Sequence, residues 1–76
     1  MLYSLWCPEM GEAEKHPFVV DANNIYQAVG VWLATEQRKK TIARSKKALY
    51  GMGSILVRIK KDGEDKTRQL FINHKI

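Results

Sequence analysis

Cysteine is nearly absent from this sequence of 76 residues, in which Cys7 stands alone. One thiol cannot form a disulfide within the chain, whereas small secreted domains usually depend on several. We therefore expect a reducing, cytoplasmic setting. No apolar run approaches the roughly 20 residues of a membrane span, and residues 1–8 lack the basic start and the apolar core of a signal peptide. The sequence predicts a protein that associates with no membrane.

Recognisable catalytic and metal-binding motifs are missing as well. Gly51 and Gly53 precede a predicted strand, whereas glycine-rich phosphate loops open helices. The spacing of Cys7, His16 and His74 matches no zinc pattern. Cys7 has no nearby base in the sequence, which favours a small buried side chain over a nucleophile. We expect a protein that is not an enzyme, with no metal, no other cofactor and no small-molecule substrate.

Acidic residues are scarce between residues 36 and 49, and the net charge of +5 therefore arises in this segment. Six cations oppose one acid there, whereas the rest of the chain carries seven residues of each sign. The six cations form what we call the basic segment: Arg38, Lys39, Lys40, Arg44, Lys46 and Lys47. Such a run can be a solvated helix face, can bind phosphates by releasing counterions, or can be steered onto an acidic protein surface.

The N-terminal half is predicted to form a hairpin and a helix. Residues 2–6 and 18–20 are rich in apolar and aromatic side chains and are predicted strands, with a polar loop between them. Asn24 can cap a following helix by accepting from free backbone N–H groups, and Gln27 stands three residues on, as in a capping box. Apolar side chains then recur at helical period and define the face expected to pack on a sheet: Ile25, Ala28, Val29, Trp32 and Leu33.

The helical pattern does not continue in phase after Glu36, which leaves two alternatives for residues 38–49. The first helix runs on as an exposed basic stretch, or a second short helix forms with Ile42 and Leu49 on one narrow apolar seam. Gly51 and Gly53 would end such a helix. If residues 38–49 are helical, three cations fall on one face and form a stripe. The stripe would consist of Lys40, Arg44 and Lys47.

The C-terminal part predicts a hairpin. Ile55, Val57 and Ile59 alternate with more polar residues, and residues 62–63 form an Asp-Gly turn signal. A two-residue loop there pairs Ile55 with Leu70, whereas a four-residue loop pairs Val57 with Leu70. Both registers place the apolar residues on the same face, so the face assignment does not depend on the register.

Phe71 is predicted to lie on the outer face of this hairpin, away from Leu70 and beside Arg58 and Lys60. An aromatic ring in that position can stack a base or anchor a protein. Alternatively, it covers part of the first hairpin.

These elements predict one α+β domain over residues 1–76, in the order β-β-α-(α)-β-β. The simplest packing is a four-stranded antiparallel sheet with one or two helices on one face.

Residues 18–24, followed by Ala28 and Trp32, resemble a recurring pattern in small phage and mobile-element proteins. In those proteins an alternating strand ends at an alanine and leads into a capped helix, and anti-CRISPR proteins and phage inhibitors of host RNA polymerase include chains of this kind. The resemblance covers about 15 of the 76 residues and implies a non-enzymatic protein that blocks a host machine by occupying a surface. Many such inhibitors are acidic mimics of nucleic acid, whereas this chain is basic.

Two functions are therefore expected. The first is a phage-type inhibitor that docks through a basic surface on a host protein or ribonucleoprotein complex. The alternative is a small regulatory module that binds DNA or RNA with residues 38–47. In both, the residues expected to contact the partner are Arg38, Lys39, Lys40, Arg44, Lys46, Lys47 and Phe71.

Overall fold

A computed structural model describes residues 1–39, 44–49 and 53–75, with residues 44–49 and 75 described by their backbone. The chain is an α+β protein, as predicted, with an antiparallel sheet and a helix. Its elements are β1 (Leu2–Trp6), a 3-10 turn (Pro8–Met10), β2 (Phe18–Asp21), α1 (Ile25–Arg38), β3 (Arg44–Leu49), β4 (Ser54–Lys61) and β5 (Glu64–Lys75). The described sheet has five strands, in place of the four predicted.

The strands lie in the order β2-β1-β5-β4-β3, and every neighbouring pair is antiparallel. β5, the last strand in sequence, is therefore the central one. Its first part pairs with β4 and its last part with β1, so that Phe71 lies opposite both Ser54 and Trp6. β5 thus joins the N-terminal hairpin to the C-terminal strands.

The C-terminal hairpin has the shorter of the two predicted loops. Asp62 and Gly63 form its turn with φ values of 53° and 82°, which a two-residue hairpin turn of this type requires at both positions. Ile55 consequently pairs with Leu70, which confirms the register of the two-residue alternative.

The helix begins and packs as its sequence predicts. The side chain of Asn24 accepts a hydrogen bond from the backbone N–H of Gln27 at 2.9 Å, and Gln27 Oε1 accepts from the N–H of Asn23 at 2.6 Å. The face that α1 buries against the sheet contains Ala28, Val29, Trp32, Leu33 and Glu36. Ile25, the first residue of the predicted face, is half-buried against this core. No helix in the described part of the chain is long and apolar enough to cross a membrane.

Among the residues whose side chains are described, those of one face of the sheet form this core. The fully buried side chains between the sheet and α1 include Leu5, Cys7, Val29, Trp32, Ile55, Val57, Ile59 and Leu70. Because successive strand residues alternate between faces, the intervening residues belong to the opposite side, which we call the open face. The open face carries Leu2, Ser4, Trp6, Val19, Asp21, Ser54, Leu56, Arg58, Lys60, Asp65, Thr67, Gln69, Phe71 and Asn73.

The prediction of helical structure over residues 38–49 is wrong for residues 44–49. Residues 44–49 form β3, an edge strand that pairs with β4 and places Leu49 opposite Ile55. Arg44 and Lys47 occupy strand positions on opposite faces of the sheet, so they cannot share the stripe predicted for a helix. Lys40, Ile42 and Gly51, on which that prediction also relied, lie outside the described residues.

Candidate functional site

Two aromatic side chains stack at the centre of the open face. Trp6 of β1 and Phe71 of β5 are directly opposite each other, with ring centroids 5.8 Å apart and ring planes 15° from parallel. This is an offset stack, the arrangement that aromatic pairs prefer. Both rings are half-buried. Phe71 therefore lies on the outer face of its hairpin, as predicted, and it also covers part of β1, as the alternative proposed.

Amide side chains flank this pair along the central strand. Gln69 and Asn73 stand two residues before and after Phe71, and strand alternation puts all three on the open face. Gln69 Nε2 donates to Ser54 Oγ at 3.0 Å, whereas the side chain of Asn73 is exposed. A carboxamide both donates and accepts hydrogen bonds, so these residues add polar recognition groups to an aromatic centre.

One end of the open face is basic. Arg58 and Lys60 of β4 are exposed, and Arg58 Nε lies 3.0 Å from Asp65 Oδ1. This ion pair uses the Nε–H group of Arg58. A guanidinium carries five N–H donors, so the other N–H groups can contact a ligand. On β3, the register adds Lys46 opposite Arg58 and Arg44 opposite Lys60. Cationic residues thus occupy neighbouring positions on two adjacent strands.

The other end of the open face is apolar. Leu2 of β1 and Val19 of β2 are 45% and 49% exposed. Beside them the N-terminal amine of Met1 lies 2.9 Å from Asp21 Oδ1. The open face therefore changes character from apolar at the β2 edge, through the aromatic pair, to basic at the β3 edge.

The basic segment is divided between the two layers of the fold. Arg38 and Lys39 are exposed at the end of α1, whereas Arg44 and Lys46 lie at positions on β3 opposite the cations of β4. Lys47 is opposite Val57, a residue of the covered face. The structure thus places two residues of the predicted site, Arg44 and Lys46, at positions neighbouring the basic end of the open face. Phe71 is opposite Ser54, four residues along β4 from Arg58, so the prediction that it lies beside Arg58 and Lys60 is wrong.

Trp6 and Asn73 lie on the open face but were not among the predicted site residues. A signal for Asn73 was present, because a residue two positions from Phe71 shares its face of a strand. As an aromatic residue Trp6 was a candidate for stacking, but its pairing with Phe71 gave no local signal, since their strands are at opposite ends of the chain.

Cys7 and the two histidines do not come together. The thiol of Cys7 is fully buried, and burial together with the Glu12 carboxylate raises its pKa to about 11. Such a thiol stays protonated near neutral pH and is a poor nucleophile. His74 stacks on Tyr3 with ring centroids 5.1 Å apart, while His16 is exposed in the loop before β2. Among the described residues no group of histidine, cysteine and acidic side chains is arranged to hold a metal ion.

A half-buried carboxyl group closes the loop that follows β1. Glu12 Oε1 accepts a hydrogen bond from the backbone N–H of Cys7 at 2.7 Å. Burial raises the pKa of Glu12 above its ordinary value of 4.5 and the nearby Glu36 carboxylate raises it further, against the opposing hydrogen bond from Cys7. The indole N–H of Trp32 stabilises the carboxylate only weakly, because Trp32 Nε1 has no acceptor at hydrogen-bonding distance.

We expect Glu12→Gln to change how stability depends on pH. The folded state holds the Glu12 proton more tightly than the unfolded chain, so the free energy of unfolding falls as the pH rises from 4.5 through the raised pKa. Glutamine keeps an acceptor oxygen for Cys7 and cannot ionise. Urea unfolding between acidic and neutral pH should show a smaller decline for this variant and a higher stability at neutral pH. Glu14→Gln, at an exposed loop position, is the control; parallel profiles for all three proteins would contradict the prediction.

Comparison with family models, with curated proteins and with solved structures found no match for this chain. The function proposed for it rests on the residues and geometry of the open face.

Proposed function

We propose that this protein is a non-catalytic nucleic-acid-binding protein and that the open face is its binding surface. The observation that carries the proposal is the stacked pair of Trp6 and Phe71, on a sheet face turned away from α1 that also bears the exposed cations Arg58 and Lys60. Bases stack on aromatic rings, and phosphates bind cations with release of counterions. Both chemical parts of a nucleotide therefore find a partner on this face.

The arrangement of charge supports the proposal. Asp65 is the acid beside Arg58 and Lys60 on the described strands, and it orients Arg58 through the 3.0 Å contact. The register adds Arg44 and Lys46 at the same end. The cations thus outnumber the acid where a phosphate backbone would lie, while the amides of Gln69 and Asn73 stand beside the rings, where base edges would lie.

A second candidate is docking on a host protein or ribonucleoprotein complex, as in the phage-type inhibitors that the sequence resembles. The observation that favours it is the pair of exposed apolar side chains, Leu2 and Val19, on the same face as the aromatic pair. Aromatic and apolar anchors form the centres of many protein interfaces. The basic end would then meet an acidic patch of the partner.

Purification of the tagged protein from its native host, with and without nuclease treatment, tests the proposal. We expect nucleic acid to co-purify, and any accompanying proteins to be lost when nuclease removes it. The purified protein should also bind a labelled oligonucleotide pool of random sequence, more weakly as salt is added. A protein partner that stays bound after nuclease treatment, together with no affinity for the pool, would favour the second candidate and refute the first.

A further inference from the structure

We infer that the nucleic acid bound by the open face is single-stranded, with an unstacked base lying on the outer face of the stacked pair, against Phe71 or Trp6; this inference rests on the proposed function. The exposed cations at the β3 end would hold the phosphates of the same strand. The aromatic pair and the amide side chains beside it both favour an unpaired base over a duplex.

The position of the aromatic rings on the sheet favours an unstacked base. Trp6 and Phe71 lie near the middle of the face, on β1 and β5, and each belongs to a strand with a neighbour on both sides. The major groove of a DNA duplex presents only the edges of bases, and each paired base is stacked between its neighbours. Aromatic rings on a sheet can therefore reach the face of a base only when that base is unstacked.

The cations of β4 lie along the strand from the aromatic pair, where the phosphates of a bound single strand would be. Ser54 lies opposite Phe71, and Arg58 and Lys60 follow it by four and six residues along β4. At about 3.4 Å per strand residue these cations are roughly 14 and 20 Å from the aromatic pair. A single strand that follows β4 from the rings would bring its phosphates to these cations within a few nucleotides of the stacked base, and single-strand-binding domains contact about 4–16 nucleotides.

The hydrogen-bonding side chains next to the rings also favour an unpaired base. The carboxamide of Asn73 is exposed beside Phe71, and that of Gln69 is held by Ser54. The Watson–Crick edge of an unpaired base is free to meet such donors and acceptors, whereas in a duplex that edge is occupied by its partner base.

Fluorescence of Trp6 provides a direct test, because its ring forms the proposed contact while Trp32 is fully buried in the core. The probes are a single-stranded DNA of about 12 nucleotides, an RNA of the same sequence and the corresponding DNA duplex. We expect the single strands to quench tryptophan emission and to bind at least about tenfold more tightly than the duplex. In Trp6→Phe, which emits from Trp32 alone, the quenching should disappear. The comparison of DNA with RNA shows which single strand is preferred.

Phe71→Leu and Trp6→Leu remove the rings while keeping apolar side chains, and circular dichroism verifies that both variants fold. Each is expected to bind the single strand roughly 5- to 150-fold more weakly, the loss expected for one stacked base, with little change towards the duplex. Tyr26→Leu replaces an aromatic residue that is 53% exposed on α1 and should bind as the parent does.

Equal or tighter binding of the duplex would overturn this inference and leave the proposed function intact. Leucine variants that bind single strands as the parent does would overturn the inference and would also show that the aromatic pair is not part of the binding surface. Failure to bind any of the three probes would overturn both.

Discussion

Replacement of Trp32 by alanine is expected to lower the free energy of unfolding by about 3–5 kcal/mol. The Trp32 side chain is fully buried, and it is among the largest in the core between α1 and the sheet. A chain of this length has a total stability of roughly 4–11 kcal/mol. Loss of this one side chain therefore removes a large part of the total free energy of unfolding.

Urea unfolding followed by far-ultraviolet circular dichroism measures this loss. Tyr26→Ala provides the control, since it removes another large aromatic side chain from the same helix at a position that is 53% exposed. We expect the Tyr26 variant to lose far less stability than the Trp32 variant. Equal midpoints for the two variants would mean that the packing of α1 on the sheet has been assigned to the wrong face.

Neutralisation of the basic end of the open face, by Arg58→Gln together with Lys60→Gln, is expected to weaken binding of a single-stranded oligonucleotide by roughly tenfold at physiological salt. The slope of log affinity against log salt should fall by about 0.7 for each lost phosphate contact. Both side chains are exposed, so folding should change little. Fluorescence anisotropy at several salt concentrations measures the affinity and the slope together.

Lys15→Gln together with Lys66→Gln is the matched control, because it removes the same charge elsewhere. Lys15 lies in the loop before β2, and Lys66 is opposite Ile59, a residue of the covered face. This control should retain most of the parental affinity and its salt dependence. If both double variants lose affinity to the same extent, only net charge matters, and the open face is not the binding surface.

The elements that depend on local pattern could be predicted from the sequence. The buried face of α1 follows from apolar residues at helical period, and its first turn follows from Asn24 and Gln27. The Asp62-Gly63 turn determined both the hairpin and its register. In each case the residues that specify the structure are close together in the chain, so no knowledge of distant partners was needed.

β3 could not be recognised in this way. Residues 44–49 contain three cations and no alternating apolar pattern, because an edge strand is specified largely by backbone pairing with its neighbour. Lysine is common on such edges, where it discourages pairing with other chains. The same lysines suggested an exposed helix when they were considered without β4.

The stacking of Trp6 on Phe71 could not be predicted from the sequence, for a different reason. Phe71 could be placed on the outer face from its own strand, but its partner Trp6 belongs to the first strand of the chain. Nothing in either segment indicates that β1 and β5 are neighbours. The candidate site therefore required the order of strands in the sheet, which alternation along single strands does not provide.

The central position of β5 has a consequence for how the chain is made. A ribosome releases β1, β2 and α1 long before residues 64–75, so the nascent N-terminal hairpin has no neighbour along one edge of β1 until the last described strand emerges. Pairings between segments so far apart in the chain form slowly, because a long loop must close first. An unpaired strand edge is also a template for association with other chains. During synthesis, the first strand of this protein thus depends on the last one for protection from aggregation.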